Sequence, residues 1–412
     1  MSDKQRRLAG VAALTALTTL TACASSASSA RPPAPGAGAQ LVGTVQPVKL
    51  GSITPVDIAN AQAAFGLDLL AQRCKAAPTA NDVLSPASAA LALSMLDAGA
   101  VGSTRAALGK LLHLPVWSPD LVAALHDQHQ ALTELKQLKV SNRLYTQLAV
   151  HPQQQVLDDL ATAEGAGLQP LDFAGHPQQA TDAINQHVDA DTKGLIPKLF
   201  DQPLDPTTTT VLTNALYLDA AWAAPFQKAV DGDFHTAAGN TVTAPMMSSE
   251  EEFGQLRTSG GWRSLTLPYT GGKLEAVVLL PANPSAAPCA AVTPQQLAAL
   301  TSGSPSAVTV QMPKLKLSQT SRLADDLSAL GLPLSGDYSG FGSSGSISQV
   351  VQKTVLQVDE RGTKAAAATG IAVATSAQAP VTVDRPYLLL IRDTATGTPL
   401  FLARISDPTA TG

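Results

Sequence analysis

The stretch from residue 359 to residue 386 decides the fold, and it reads Asp359-Glu-Arg-Gly-Thr-Lys-Ala-Ala-Ala-Ala-Thr-Gly-Ile-Ala-Val-Ala-Thr-Ser-Ala-Gln-Ala-Pro-Val-Thr-Val-Asp-Arg-Pro386. The run from Lys364 to Ala368 favours a helix, because alanine loses least on entering one, but Gly362 and Gly370 oppose it. Counting in twos predicts a strand, since successive strand residues point to opposite faces. One face then carries small and β-branched residues, namely Thr363, Ala365, Ala367, Thr369, Ile371 and Val373. The residues alone leave a strand and an exposed loop equally open.

A segment that could be either an exposed loop or a strand resembles the reactive segment of one protein family, the serpins. The hinge residues Glu360, Gly362, Thr363, Ala365, Ala366, Ala367 and Ala368 closely resemble the serpin hinge, and Asp384-Arg-Pro-Tyr387 resembles the segment that follows the reactive loop. The resemblance implies a mixed α/β (α+β) fold, with helices around three mainly antiparallel sheets and an exposed reactive loop. Lys364 departs from the usual glutamate, but it falls on the outward face and should matter little.

The resemblance further implies an inhibitor of serine proteases, not an enzyme, that needs no cofactor. A target protease would form a covalent acyl complex with the loop, and the severed loop would insert into the main sheet. Counting from the hinge glutamate places the reactive bond between Ser376 and Ala377, whereas counting back from Pro386 favours Thr375. The side chains around both positions are small, which predicts elastase-like or subtilisin-like targets.

The alternative is a non-inhibitory protein with a serpin fold that binds a ligand. Bulky or charged residues at the inward hinge positions would indicate that role, because they would block insertion. Thr363, Ala365 and Ala367 are all small, which favours an inhibitor.

Five further residues resemble family positions in the region where the main sheet opens. They are Ser85, Ser88, Asn214, Trp222 and Gln352. Asn214 lies inside the apolar run from Thr210 to Leu218, where an amide needs hydrogen-bond partners to be buried. Gln352 stands where the family usually has a histidine, so we expect hydrogen bonding to be kept and its pH dependence to differ.

The first residues are typical of an export signal. Lys4, Arg6 and Arg7 precede an apolar run, which ends in Leu20-Thr-Ala-Cys23. This ending resembles the bacterial lipobox, in which the cysteine is lipidated. We therefore expect a signal peptide over residues 1–22, a membrane lipoprotein anchored through a lipid on Cys23, a flexible tether over 23–54 and a serpin domain over 55–412. An ordinary cleaved signal on a secreted protein is the alternative.

Length, composition and net charge limit the number of domains and the kinds of partner. The 412 residues are 45% hydrophobic, enough for a large core, and the length alone permits one large domain or two to three ordinary ones. The formal net charge of −5 argues against nucleic acid as a partner, and we expect a monomer.

The remaining serine, histidine and cysteine patterns do not indicate catalysis or metal binding. No Gly-x-Ser-x-Gly or Ser-x-x-Lys motif occurs, so nothing marks a hydrolase serine. His126 and His129 are spaced like two helical metal ligands, but without an acidic or thiol cluster we expect a solvated helix face and no metal. Cys74 and Cys289 form either a disulfide or two buried thiols, and sequence leaves that open.

Overall fold

The computed structural model describes residues 38–148, 150–283, 289, 291–342, 346–363 and 380–411. These residues form eight α-helices and four β-sheets, joined by loops and turns. The helices are α1 (Pro55–Ala76), α2 (Pro86–Gly99), α3 (Gly102–Leu111), α4 (Pro119–Thr133), α5 (Gln154–Glu164), α6 (Pro177–Asp191), α7 (Pro294–Thr301) and α8 (Ala324–Ala329). Several begin at a proline behind a serine or threonine whose side chain accepts a backbone hydrogen bond, as at Thr54 and Ser85. Proline fits there because its missing N–H has no helical partner in the first turn.

The strands follow the same chain order. They are β1 (Asp82–Leu84), β2 (Leu138–Gln147), β3 (Leu168–Leu171), β4 (Thr210–Leu218), β5 (Ala220–Ala221), β6 (Val230–His235), β7 (Thr241–Ser248), β8 (Gly254–Ser259), β9 (Trp262–Pro268), β10 (Leu274–Pro281), β11 (Ser306–Val308), β12 (Val310–Pro313), β13 (Leu315–Arg322), β14 (Gln349–Val358), β15 (Gly362–Thr363), β16 (Val381–Thr382), β17 (Tyr387–Asp393) and β18 (Pro399–Ile405).

Three larger sheets and one short pair result. The main sheet has five strands in the order β13-β14-β4-β2-β3. A seven-stranded sheet runs β1-β18-β17-β10-β9-β8-β11, a four-stranded sheet runs β16-β12-β7-β6, and β15 pairs with β5. Most neighbours are antiparallel, but β14 and β4 at the centre of the main sheet are parallel. The predicted fold class is confirmed.

Helix α2 lies between the main sheet and the seven-stranded sheet, where it packs against β4, β2 and β18. All of its residues are buried. Its sequence explains this position, because a helix that is apolar on every side needs cover on every side. Ser85 and Ser88 at its first turn are thereby carried beneath the main sheet.

One apolar stretch is divided among several sheets. The run from Val308 to Leu317 is spread over β11, β12 and β13, which lie in three different sheets. Pro313 ends β12, and the chain then crosses from the four-stranded sheet into the main sheet. Periodicity alone does not reveal such a crossing, because both parts are equally apolar.

The N-terminal strap, defined as residues 38–51, lies on the body of the domain. Leu41 exchanges backbone hydrogen bonds with Leu168 of β3 at 2.8 and 2.9 Å, and the Thr44 amide donates to the Asp158 carboxylate at 2.8 Å. The part of the predicted tether from residue 38 onward therefore has hydrogen-bonded contacts with β3 and α5.

Cys74 and Cys289 form a disulfide with a Cα–Cα distance of 5.8 Å, which settles a choice that the sequence left open. The bond joins the last turn of α1 to the segment before α7. Within the described part of the chain, no helix has the length and apolar character needed to cross a bilayer.

Candidate functional site: the hinge and the shutter

The described part of the hinge forms a two-residue strand at the end of the main sheet. Gly362 and Thr363 pair antiparallel with Ala221 and Ala220 of β5. Gly362 has φ of 149°, and a Cβ there would lie 2.1 Å from the Ala220 carbonyl oxygen. Only glycine fits this approach, which explains the glycine in the hinge motif.

Trp222 holds the turn that leads into this strand. Its indole Nε1 donates to the Asp359 carbonyl at 2.9 Å, and its amide donates to the Arg361 carbonyl at 2.9 Å. The ring stacks on Tyr269 with centroids 4.4 Å apart. Trp222 thus contacts the turn that precedes Gly362 and Thr363, and its predicted place under the loop's entry point stays a prediction.

Thr363 is already inside the protein. Its side chain is 1% exposed, and its hydroxyl lies 2.7 Å from the Tyr269 hydroxyl. Burial raises the pKa of Tyr269 above its usual value, against the effect of the Thr363 hydrogen bond, so the phenol stays neutral. Thr363, the first residue on the face predicted to point inward, is therefore a small polar residue that is buried in the intact protein.

Glu360 connects the hinge to two segments between strands, one just before β6 and one between β12 and β13. Its Oε2 lies 2.9 Å from Lys314 Nζ, and its Oε1 accepts from the Ala229 amide at 3.0 Å. Partial burial opposes ionisation, but the hydrogen bonds from Lys314 and Ala229 outweigh it and hold the pKa of Glu360 below its usual value.

The shutter, defined as Ser85, Ser88, Asn214 and Gln352, lies midway along the main sheet. Gln352 and Asn214 are register partners on β14 and β4, joined by an amide hydrogen bond of 2.6 Å. Gln352 accepts from the Ser85 amide at 2.9 Å and donates to the Ser85 carbonyl at 3.1 Å. Asn214 also donates to Ser88. All four residues are buried, so Gln352 fills its place with complete hydrogen bonding and no titrating proton.

Three residues at the site were not singled out from the sequence. Asn142 accepts from Ser88 at 3.1 Å, Tyr269 bonds Thr363, and Lys314 pairs with Glu360. Each lies within or next to a strand, and its sequence neighbourhood indicates only that strand. The pairing of strands in the sheets brings these residues to the site. An amide within a strand was the one available signal, and it applied to Asn142 as it did to Asn214.

The remaining predicted hinge and bond residues lie outside the described residues: Ala365, Ala366, Ala367, Ala368, Thr375, Ser376 and Ala377, together with Cys23. The two flanks are described. On one side, Thr363 is the last residue of β15, which pairs with β5 next to the main sheet. On the other side, Val381 pairs with Val310 of β12 in the four-stranded sheet. The predicted reactive loop therefore joins two different sheets.

The prediction of a solvated face for His126 and His129 is wrong, because both are half-buried on α4. His126 Nδ1 lies 2.6 Å from the Thr162 carbonyl, and burial lowers the pKa of His129, with a further lowering from His126. Their helix packs against α5, so that face is covered.

Comparison with known proteins agrees with this geometry. The serpin (serine protease inhibitor) family model matches residues 60–408. Leukocyte elastase inhibitor A of Mus musculus is 32% identical over 382 aligned residues, which cover 85% of this chain and 99% of that protein. The native thermophilic serpin tengpin superposes with a TM-score of 0.77 at 26% identity, covering 88% and 97% of the two chains. The structure of human thyroxine-binding globulin complexed with thyroxine gives a TM-score of 0.76 at 27% identity, covering 87% of this chain and 100% of that chain. This chain belongs to the serpin family.

Proposed function

We propose that this protein is a covalent, single-use inhibitor of serine proteases. The observation that carries the proposal is the described hinge: Thr363 is buried beside Tyr269 while β14 and β4 are still paired along their length, from Gln349 with Val211 to Val355 with Tyr217. The first residue of an inserting strand is thus in place at the end of a closed sheet. The leukocyte elastase inhibitors among its relatives support the same function.

The sheet supplies a driving force for insertion. Because β14 and β4 are parallel, a chain that turns back after β14 would run antiparallel to both of them. Insertion would replace one parallel interface by two antiparallel ones, and antiparallel pairing is slightly more stable per residue. The sheet would gain a strand, with additional backbone hydrogen bonds.

The chemistry begins on the protease. Its serine hydroxyl attacks the carbonyl carbon of Ser376, or of Thr375, and the peptide bond breaks as the new α-amine leaves with a proton. The severed segment remains esterified to the protease. About 14 residues at roughly 3.3 Å each would carry that ester on the order of 45 Å as they insert. Distortion of the protease before water attacks the ester would leave the complex trapped.

The target class follows from the small residues around the reactive bond. Shallow primary pockets of the elastase kind, or broad subtilisin-like ones, accept such side chains. Trypsin-like enzymes need a basic residue, and the chain has none between Lys364 and Arg385.

The proposed location is the outer face of a bacterial membrane, with a lipid on Cys23 holding a monomer. The lipobox-like ending at Cys23 supports it, and a secreted protein is the alternative. Changing Cys23 to Ser should release the protein from membranes or stop its processing. A wild-type protein found wholly in the medium, with an N-terminus elsewhere, would overturn this part.

The deciding experiment incubates the protein with an elastase, a subtilisin and trypsin, followed by a denaturing gel and mass mapping of the cut. We expect a gel-stable complex with the first two and cleavage within residues 374–377. Cleavage without any complex would favour the non-inhibitory alternative. Rapid trapping of trypsin with a cut elsewhere would contradict the assigned reactive bond.

A further inference from the structure

A cleft of about 950 Å³ lies between the N-terminal strap and helices α2 to α5, away from the hinge. The strap forms one wall with residues 46–51. It is held in place by the Gln46 amide, which donates to Thr162 Oγ1 at 2.8 Å, and by the Gln46 side chain, which donates to Asp158 at 3.2 Å. The cleft has the size of a small-molecule site.

The strap wall is a feature of this chain beyond its family match. The serpin match begins at residue 60, whereas the strap ends at residue 51. A ligand that touches both the strap and the helices would therefore use residues that the matched region lacks. This separates the cleft from sites built wholly within the family fold.

The lining combines an apolar floor with a cation. Trp117, Val122 and Val156 supply apolar surface from the segment before α4, from α4 and from α5. Arg105 of α3 also lines the cleft; its Nη2 donates to the Ala98 carbonyl at 3.3 Å, but its Nε is buried with no hydrogen-bond partner among the described residues. Because Nε itself is covered, a ligand in the cleft would meet the terminal nitrogens of this guanidinium, which forms no ion pair among the described residues and gains from an anionic ligand group.

The acidic groups nearby leave Arg105 incompletely neutralised. Burial raises the pKa of Asp97 to about 7 against the effect of Arg105, so this carboxyl is partly protonated near neutral pH. Asp159 already accepts from the Trp117 indole at 2.9 Å and from Gln155 at 2.8 Å. Asp120 borders Gly51 at the end of the strap. An anion is therefore favoured at Arg105 and disfavoured beside Asp120.

We propose that this cleft binds a single-chain amphiphile with one anionic headgroup, such as a medium-chain fatty acid. The carboxylate pairs with Arg105, and the hydrocarbon chain packs on Trp117, Val122 and Val156. Lys49 on the strap adds a second positive charge to the lining. This site is independent of protease inhibition.

The test titrates the full chain with decanoate, 1-decanol and decylamine below their aggregation concentrations, and reads tryptophan fluorescence and melting temperature. Decanoate should bind saturably and raise the melting temperature, because a ligand that binds only the folded state stabilises it. The chain has three tryptophans, so Trp117→Phe should remove the fluorescence change while the thermal shift remains.

Arg105→Gln should weaken decanoate binding about tenfold, the effect of losing one charge-assisted hydrogen bond. Lys110→Gln, an exposed cation on the same helix outside the cleft, is the matched control and should bind as wild type does. Val48→Asp provides a second variant should Arg105→Gln fold poorly, because Val48 is 37% exposed and tolerates a charge. It should also weaken binding by repelling the carboxylate. Absence of saturable binding, equal affinity for the three probes, or unchanged decanoate binding by both variants would overturn the proposal.

Discussion

The hinge and the shutter both connect segments at the main sheet, but by different chemistry. At the hinge, Glu360 and Lys314 form an ion pair whose side chains are 20% and 36% exposed. At the shutter, Gln352 and Asn214 are neutral and only 1% and 2% exposed. An ion pair that is partly exposed to water contributes little to the free energy of unfolding. Breaking a buried hydrogen-bond network costs more, because it leaves polar groups without partners where water cannot replace them. We infer that the sheet opens more readily from the hinge than from the shutter.

The largest effect should come from Thr363→Arg, which would place a charge in a site that is 1% exposed. Thr363 is already buried in the intact protein, so an unpartnered cation there costs several kcal/mol, lowers the melting temperature of the intact variant and disfavours insertion that begins at this residue. If the proposed mechanism holds, cleavage at the reactive bond should continue, and the variant should become a substrate that forms no gel-stable complex. Cleaved wild type should melt far above the intact protein, and the cleaved variant should not.

Thr363→Ser, which keeps a small hydroxyl, is the control and should trap protease as wild type does. If Thr363→Arg also traps protease at the wild-type rate, insertion of this segment is not how the protein works.

The next largest effect should come from Gln352→Leu at the shutter. It leaves the Ser85 amide, the Ser85 carbonyl and the Asn214 side-chain oxygen without their partner. We expect a loss of about 2–4 kcal/mol in the free energy of unfolding, measured by denaturant titration. Gln357→Leu, a less buried position on the same strand, should change it by less than about 0.5 kcal/mol. Equal effects of the two changes would contradict the distinct role given to the shutter.

A smaller effect should follow from Tyr269→Phe, which removes the 2.7 Å hydrogen bond to Thr363 and keeps the ring stacked on Trp222. We expect a loss of about 1 kcal/mol, because one buried hydroxyl loses its partner. Protease trapping should persist or become faster, since the hinge is released without a steric change. Slower trapping at unchanged stability would instead give the phenol a role in insertion itself.

The smallest effect should come from Glu360→Gln, less than about 1 kcal/mol near neutral pH for a pair this exposed to solvent. The folded-state pKa of Glu360 is lowered from its ordinary value of 4.5. The pair therefore contributes above that value, and its contribution is lost as pH falls through the folded-state pKa. Unfolding titrations of both proteins should converge on acidification.

Glu251→Gln, at an exposed acid away from the hinge, is the matched control for that comparison. A difference between wild type and Glu360→Gln that grows on acidification would have the wrong sign for a stabilising pair.

The two regions also differ in how much of them the sequence predicted. The hinge is a local pattern, in which Glu360, Gly362 and Thr363 follow one another, and Gly362 is needed because of a close approach to Ala220. The shutter is a non-local set, in which Gln352 meets Ser85 across 267 positions of sequence. Resemblance to a known family identified Ser85, Ser88, Asn214 and Gln352, but it did not identify their partner Asn142. No periodicity in β2 distinguishes that residue from its neighbours.

The sequence by itself determined the large elements and the class of fold. Strand β4 coincides with the apolar run from Thr210 to Leu218, because a strand covered on both faces must be apolar throughout. Local patterns of this kind involve residues that are close together along the chain, so the sequence alone contains them.

Only the tertiary structure decided which distant groups meet. It paired Cys74 with Cys289, brought Lys314 to Glu360 and Tyr269 to Thr363, and laid the strap across α5 to form the cleft. Each of these contacts joins segments from different elements, and their distances depend on sheet order and strand register. The physical reason is that hydrogen bonds and ion pairs act over a few ångströms in space, whereas the sequence specifies only distance along the chain.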